Sequence, residues 1–202
     1  MPYWEVPHIW KTATCFIIGG GPSIKELDLE RVRRAKGYTI AVNNSYQLAP
    51  WATILYFMDG VWHDWHRKNV REFSGLVITI SDRCLNKPRI KVLKRGTRNH
   101  YDPRRTHLAR GGNSGHGAIS VAIHFGAKRI ILFGFDMKRI NGQHNYHSDH
   151  KRTVPDNIYE NQYFAGFNAL AEDCQRLGIE ILNATPGSAL PSFPIIHPDE
   201  VL

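Results

Sequence analysis

Two glycine-rich stretches carry the clearest chemical signal in the chain. The first is Cys15-Phe16-Ile17-Ile18-Gly19-Gly20-Gly21-Pro22-Ser23. A continuous apolar run of this kind reads as a buried parallel strand, and glycines at its carboxyl end let a ligand approach the backbone closely. Ser23 with Glu26 three residues later predicts a capping box, which would aim a positively polarised helix N-terminus at the glycine turn. Strand, turn and helix start together make a cradle for phosphate. The second stretch, Gly111-Gly112-Asn113-Ser114-Gly115-His116-Gly117, leads into a helix expected over Ala118–Phe125 and repeats the same device.

Polar groups stand where other strands end. Asn43 fits a turn that bonds its own backbone or a contact to a bound donor. Asp59 fits a helix N-cap, and Asp136 a loop cap, but two carboxylates reaching one pocket beside phosphates are also how Mg²⁺ is held. His144, His147 and His150 recur every third residue. That series lacks the i, i+4 pair of a helical zinc site, so a general base or a solvated loop suits it better than metal ligation. Trp62 and Trp65 at helical spacing read as core ahead of base-stacking platforms. Arg95, Arg98, Arg104, Arg105 and Arg110 lie in a stretch too polar for core, either solvated or in contact with phosphates.

The elements that must position these groups alternate. Strands are expected at Thr14–Ile18, Tyr38–Val42, Ala52–Met58, Leu76–Ile80, Ile90–Leu93, Lys128–Asp136 and Ile179–Leu182. Helices are expected over Ile24–Ala35, Val61–Val70, Ala118–Phe125 and Ile158–Leu177. The pattern predicts an α/β, Rossmann-like fold, a mostly parallel sheet with helices on both faces. One domain spans residues 1–202, with an irregular lead-in over 1–12 and a proline-rich tail over 189–202. Ligands of such sheets sit outside the carboxyl ends of the strands.

Composition narrows the classes. With 202 residues, a formal charge of +8 and a pI near 9.5, the chain favours phosphorylated or polyanionic partners. No apolar run is long enough for a membrane span and no signal peptide is evident, so a cytoplasmic protein is expected. Cys15, Cys84 and Cys174 lack metal or disulfide spacing and read as buried apolar residues. Ile24 stands where the third glycine of a dinucleotide fingerprint belongs, and Asn43 replaces its ribose-binding acid, which weighs against NAD.

The combination of GGGPS (Gly19–Ser23), VNNSY (Val42–Tyr46), GGNSGHGAI (Gly111–Ile119), GAKRIILFGFDM (Gly126–Met137) and Pro186-Gly187-Ser188 resembles small phage-encoded proteins. More distantly, it is similar to the family 42 bacterial sialyltransferases and to the 6-hydroxymethylpterin diphosphokinase family. The sialyltransferase resemblance implies that Gly20, Gly21 and Ser23 lie near the nucleotide phosphate, where the glycine turn also brings Gly19, and Asn43 near the donor. It implies Asn113, Ser114 and Gly115 on the donor, Ser188 closing the phosphate side, and His147 or His150 as the general base. Asp59 stands where that family uses an amide, which together with Asp136 leans toward Mg²⁺. The leading expectation is therefore a nucleotide-dependent transferase, a glycosyltransferase using a nucleotide-activated sugar. Its partners would be a small nucleotide donor and an unidentified acceptor, nucleic acid included, with no membrane. Alternatives are Mg²⁺-dependent diphosphate transfer through Asp59 and Asp136, or a non-enzymatic phage protein that binds nucleotide or nucleic acid.

Overall fold

The computed structural model describes residues 3–149, 155 and 157–202. Apolar runs flanked by turn residues become strands β1 (Thr14–Ile18), β2 (Tyr38–Val42), β3 (Ile54–Phe57), β4 (Leu76–Thr79) and β5 (Ile90–Val92). A separate two-stranded ladder follows, β6 (Lys94–Arg98) with β7 (His107–Arg110). The main sheet is then completed by β8 (Arg129–Phe133) and β9 (Glu180–Asn183). Its order is β5-β4-β3-β2-β1-β8-β9, with parallel pairing throughout. The chain builds outward from β1 to β5 and returns to β8 on β1's other side. That reversal opens a crevice at the carboxyl ends of β1 and β8.

Four helices cover the sheet: α1 (Leu29–Arg34), α2 (Gly60–Glu72), α3 (Ser114–Phe125) and α4 (Phe164–Leu177). Alternation along the strands sorts the core into two layers. Cys15 and Ile17 join Ile40, Tyr56, Ile130 and Leu132 against Ile119 of α3 and Leu170 of α4. Phe16 and Ile18 join Leu55, Ile131 and Phe133 against Val32 of α1 and Trp62 and Val70 of α2. Each such side chain contributes roughly 1.5–3 kcal/mol on burial. The two faces are thus both dry, which is why the strands read as continuous apolar runs.

Several local expectations are corrected. The helix expected over Ile24–Ala35 is two pieces, a 3₁₀ turn at Pro22–Glu26 and α1 from Leu29. Asp28 makes the break by accepting from the Glu30 amide at 3.0 Å as a new N-cap. The Ser23–Glu26 capping box does not form, because the Ser23 hydroxyl donates to Asp136 instead. The polar stretch from Lys94 to Arg110 is the β6–β7 ladder, pinned to the core by buried Leu108 and Ala109. The helix expected from Ala118 begins four residues earlier, at Ser114, and the one expected over Ile158–Leu177 opens with a π-helical turn, Tyr159–Tyr163.

The remaining segments seal edges. In the lead-in, Trp10 stacks between Tyr38 and Phe125, ring centroids 4.3 Å from each. Beyond β9, the Asn183 amide donates to Pro194 at 2.8 Å and the Ile196 amide to Asn183 at 3.1 Å, so the tail lies along the sheet edge as a short parallel partner. The three cysteines are free and buried, and desolvation pushes Cys84 up to about 11 and Cys174 up to about 12. No helix among the described residues is long and apolar enough to cross a membrane.

Candidate functional site

The crevice between β1 and β8 is a cleft of about 400 Å³. It gathers Gly19, Gly20, Gly21, Asn43, Asp59, Asn113, Ser114, Gly115, Asp136 and His147 from six separate stretches of chain. Ser23 and Ser188 lie behind its wall. Ser188 accepts from Asn183 Nδ2 at 3.0 Å and donates to the Phe135 carbonyl at 2.6 Å, bracing the segment after β8. His150 lies outside the described residues.

The two glycine turns enter the cleft differently. In the first, the Gly19 amide donates to Phe133 O at 2.7 Å, Gly21 to Gly134 O at 2.9 Å, and Ser23 to Asp136 Oδ1 at 3.3 Å. A Cβ on Gly21 would sit 1.8 Å from Asp136 Oδ2, so only glycine fits against that wall. In the second turn, Asn113 is extended (φ −143°, ψ 163°) and its Oδ1 accepts from the His116 amide at 3.0 Å. The first turn of a helix leaves its leading amides without intrahelical acceptors, so Ser114 and Gly115 present N–H groups at the positive end of a 12-residue helix. A bound anion belongs there.

Two carboxamides add donors. Asn113 Nδ2 and Asn44 Nδ2 are buried and have no hydrogen-bond partner among the described residues, and both residues line the cleft. Buried amide nitrogens without partners are rare in native proteins and mark places where a ligand or water completes the set. The Asn44 side chain is locked in place because Trp62 Nε1 donates to its Oδ1 at 2.7 Å, while Tyr146 Oη donates to its carbonyl at 2.7 Å. Trp62 is therefore core, buried with only an edge on the cleft, and half-buried Trp65 lines the cleft beside it. Asn43 adopts the left-handed region, φ 51°, at the end of β2.

The acids are committed to the protein. Asp136 is 2% exposed, accepts from both the amide and the hydroxyl of Ser23, and burial raises its carboxyl above the ordinary range. Asp59 is exposed and caps α2, accepting from the Val61 amide at 2.9 Å. Among the described residues no three acids, histidines or cysteines converge as a metal-binding group. Both Asp136 oxygens are engaged by Ser23 and Asp59 Oδ1 by the Val61 amide, so these contacts lend no support to a divalent cation held between the two acids.

The far wall comes from the loop after β8. Its anchor is Tyr146, whose amide donates to Gly20 O at 2.9 Å. This holds half-buried His147 at the cleft, its Nδ1 accepting from the Asp149 amide at 3.2 Å. Arg139 Nε donates to His144 Nε2 at 2.9 Å, so neutral His144 carries its proton on Nδ1 and gives it to Tyr159 Oη at 2.6 Å. Tyr159, an acceptor toward His144, keeps its own O–H to donate. Its phenol is pushed up to about 12 by burial and stays protonated. Tyr163 lines the same wall. The sequence reading did not single out Asn44, Tyr159 or Tyr163. The i, i+4 spacing of the two tyrosines was a usable signal, absorbed there into the helix pattern.

The comparisons bear on this geometry. No protein-family model matches the chain, and no match is found among curated proteins. Solved structures do match. The sialyltransferase CstII from Campylobacter jejuni in complex with cytidine-5'-monophosphate superposes with a TM-score of 0.58 at 14% identity, over 95% of this chain and 88% of that one. The same enzyme with the substrate analogue CMP-3FNeuAc gives 0.57 at 15% identity, over 93% and 87%. The monofunctional alpha-2,3-sialyltransferase Cst-I from the same organism gives 0.58 at 15% identity, over 91% and 80%. At these identities the likeness establishes the fold, which agrees with the distant sialyltransferase resemblance; these matches include neither a phage protein nor a diphosphokinase.

Proposed function

We propose that the protein is a glycosyltransferase that moves a sugar from a nucleotide-activated donor to an acceptor hydroxyl. The observation that carries this reading is the convergence of four donors in one cleft: the Ser114 and Gly115 amides and the buried Nδ2 groups of Asn44 and Asn113, which have no partner among the described residues. An array of donors without acceptors suits an anionic, nucleotide-like molecule. The fold is shared with enzymes crystallised with CMP and a CMP-sugar analogue, which makes cytidine nucleotides the first donors to test. Three free, buried cysteines are compatible with a reducing compartment, and we place the reaction in the cytoplasm.

In the proposed mechanism the acceptor oxygen attacks the anomeric carbon as the bond from that carbon to the donor phosphate oxygen breaks. The bonding pair leaves with the phosphate, whose growing charge meets the Ser114 and Gly115 amides and the Tyr159 O–H. The acceptor's proton passes to His147 Nδ1, which must first exchange its bond from the Asp149 amide for the incoming hydroxyl. Gly19 to Gly21 supply close backbone approach, and Asn43 a contact to the donor. Asp59 and Asp136 support no second reading through a metal.

Calorimetric and thermal-shift titrations with CMP, UMP and AMP, followed by transfer assays with the matching nucleotide sugars, test the proposal. CMP should bind and raise the melting temperature. His147→Ala should lower the transfer rate roughly 10²- to 10⁴-fold while sparing CMP affinity. A protein whose melting temperature no nucleotide moves is not this enzyme.

A further inference from the structure

Next to the donor cleft, and sharing Met58, Asp59 and Gly112 with it, lies a second basin of about 630 Å³. Four arginines line it: Arg83, Arg95, Arg98 and Arg110. The two acids in its wall, Asp59 and Asp82, leave an excess of positive charge, and each already accepts a bond, from the Val61 amide and from Tyr3 Oη respectively. Arg83 reaches Asp64 at 3.4 Å. Arg95, Arg98 and Arg110 have no acidic partner among the described residues.

This arrangement is selective. In the same basic stretch, the arginines that point elsewhere are neutralised: Arg104 grips buried Asp102 at 2.7 Å and Arg105 meets Glu5 at 2.6 Å. The Arg104 guanidinium holds the Asp102 carboxyl down at about 2, so that pair stays ionised. Within that stretch Arg95, Arg98 and Arg110, all lining the basin, are exposed and have no acidic partner among the described residues.

Backbone irregularity aims them. Residues three apart on a regular strand point to opposite faces. In the β6–β7 ladder, however, Arg95 pairs with Leu108 and Arg98 with Arg110, so β6 carries one extra residue between them. Such a bulge re-aims a side chain, and here Arg95 and Arg98 both reach the basin. The same register sets Arg98 directly opposite Arg110, a like-charge pair that destabilises a ladder unless an anion lies between. His116 fixes this ladder to the donor cleft. It sits in the first turn of α3 and its ring Nε2–H donates to the Asn99 carbonyl at 2.7 Å, next to Arg98.

We infer that this basin is the acceptor subsite and that it takes a sugar acceptor bearing a fixed negative charge, a phosphate or a carboxylate, held between Arg98 and Arg110 with Arg95 beside them. The inference rests on the transferase reading for the word acceptor; the charge preference rests on the basin alone. Paired guanidinium groups suit both anions because each binds in a bidentate fork.

Binding of a hexose phosphate and of a hexuronate, each measured by calorimetry against the neutral hexose and with CMP present, tests it. The charged sugars should bind at least roughly tenfold tighter than the neutral one, an advantage that added salt erodes. Comparing the two charged sugars tells phosphate from carboxylate. Arg98→Gln and Arg110→Gln should each abolish the preference while leaving CMP affinity unchanged. Both residues are exposed and face one another, so melting temperature should hold or rise, which separates lost binding from lost folding. Equal affinity for charged and neutral sugars, or a preference that survives both variants, overturns the inference. So does saturable duplex DNA binding that needs Arg98 and Arg110 while the charged sugars fail to bind, since the basin would then be a nucleic-acid surface. If CMP fails to bind but the hexose phosphate still requires both arginines, the transferase reading falls and the anion site stands.

Discussion

Gly19–Gly21 and Gly112–Gly115 both line the cleft, and as sequence they are near-equivalent signals for a phosphate cradle. In the folded chain the first turns its amides inward, to Phe133 and Gly134 on the neighbouring strand segment, and Ser23 follows suit toward Asp136. The second turns its amides outward at the head of α3. Glycine is required in the first by the wall it packs against, and in the second by the ring of Phe135, 2.7 Å from where a Gly115 Cβ would stand. Glycine thus serves close packing in both turns, and what separates them is where the amides point: inward to the neighbouring strand in the first, outward to the cleft in the second.

Backbone editing gives the sharpest way to break this comparison. Ser114→Pro deletes one outward amide at the first helical position, where proline is well tolerated, and Asn113 is already extended as a pre-proline residue must be. Transfer should fall about 10²- to 10³-fold, as for loss of one preorganised donor, with an unchanged melting temperature. An undiminished rate would mean the α3 amides do not meet the reacting phosphate.

Gly21→Ala probes the inward turn. Its Cβ would collide with Asp136 Oδ2 and lie 2.6 Å from Gly134 O, so urea denaturation should reveal a loss of about 3 kcal/mol or more. Gly20→Ala meets only Asn145 Oδ1 at 3.4 Å and should cost under about 1 kcal/mol. Equal losses would erase the distinction between wall and cleft.

His116 tests how firmly the outward turn is held. Burial lowers its imidazole to about 4, so between that value and the unfolded 6.5 the unfolded chain binds the extra proton. The stabilisation is complete above 6.5 and is lost as pH falls toward 4, by about 3 kcal/mol at most. His116→Gln should flatten that slope in denaturation curves taken across the window. Buried His124 acts in the same sense, whereas Asp136, whose carboxyl is raised by burial, opposes it. A slope identical to that of the parent protein would place the titration elsewhere.

The smallest effect is expected at Asn43. Its left-handed backbone suits glycine at least as well, so Asn43→Gly should leave stability within about 0.5 kcal/mol. Nucleotide affinity should drop roughly three- to tenfold if the side chain touches the donor, as one lost hydrogen bond implies. Unchanged affinity would leave Asn43 a turn former only.

How much of this was legible depended on range. The strands were visible because a sheet dry on both faces needs unbroken apolar runs such as Phe16-Ile17-Ile18 and Ile130-Ile131-Leu132. The gathering of Gly19–Gly21, Asn43, Asp59 and Asp136 followed from parallel topology, which sends every strand end to one rim, whereas Asn113 and Ser114 were marked by the second glycine-rich stretch and His147 only by the sialyltransferase resemblance. Local misreadings had local causes. Ile24, Leu27 and Val32 satisfy a helical spacing whether or not Asp28 interrupts it, and five arginines hid the Leu108-Ala109 pair that makes β7 a strand. Ser23's true partner, Asp136, lies 113 residues away, and the Arg139–His144–Tyr159 chain depends on a loop meeting a π turn. No spacing rule reports contacts of that kind.

The short parallel partner that residues 194–196 give β9 has a consequence for handling the molecule. It covers backbone donors and acceptors that an uncapped outer strand would offer to any similar strand in solution. Trimming the chain before Pro194 would uncover that row, and the shortened molecules would have a template for joining side by side into aggregates.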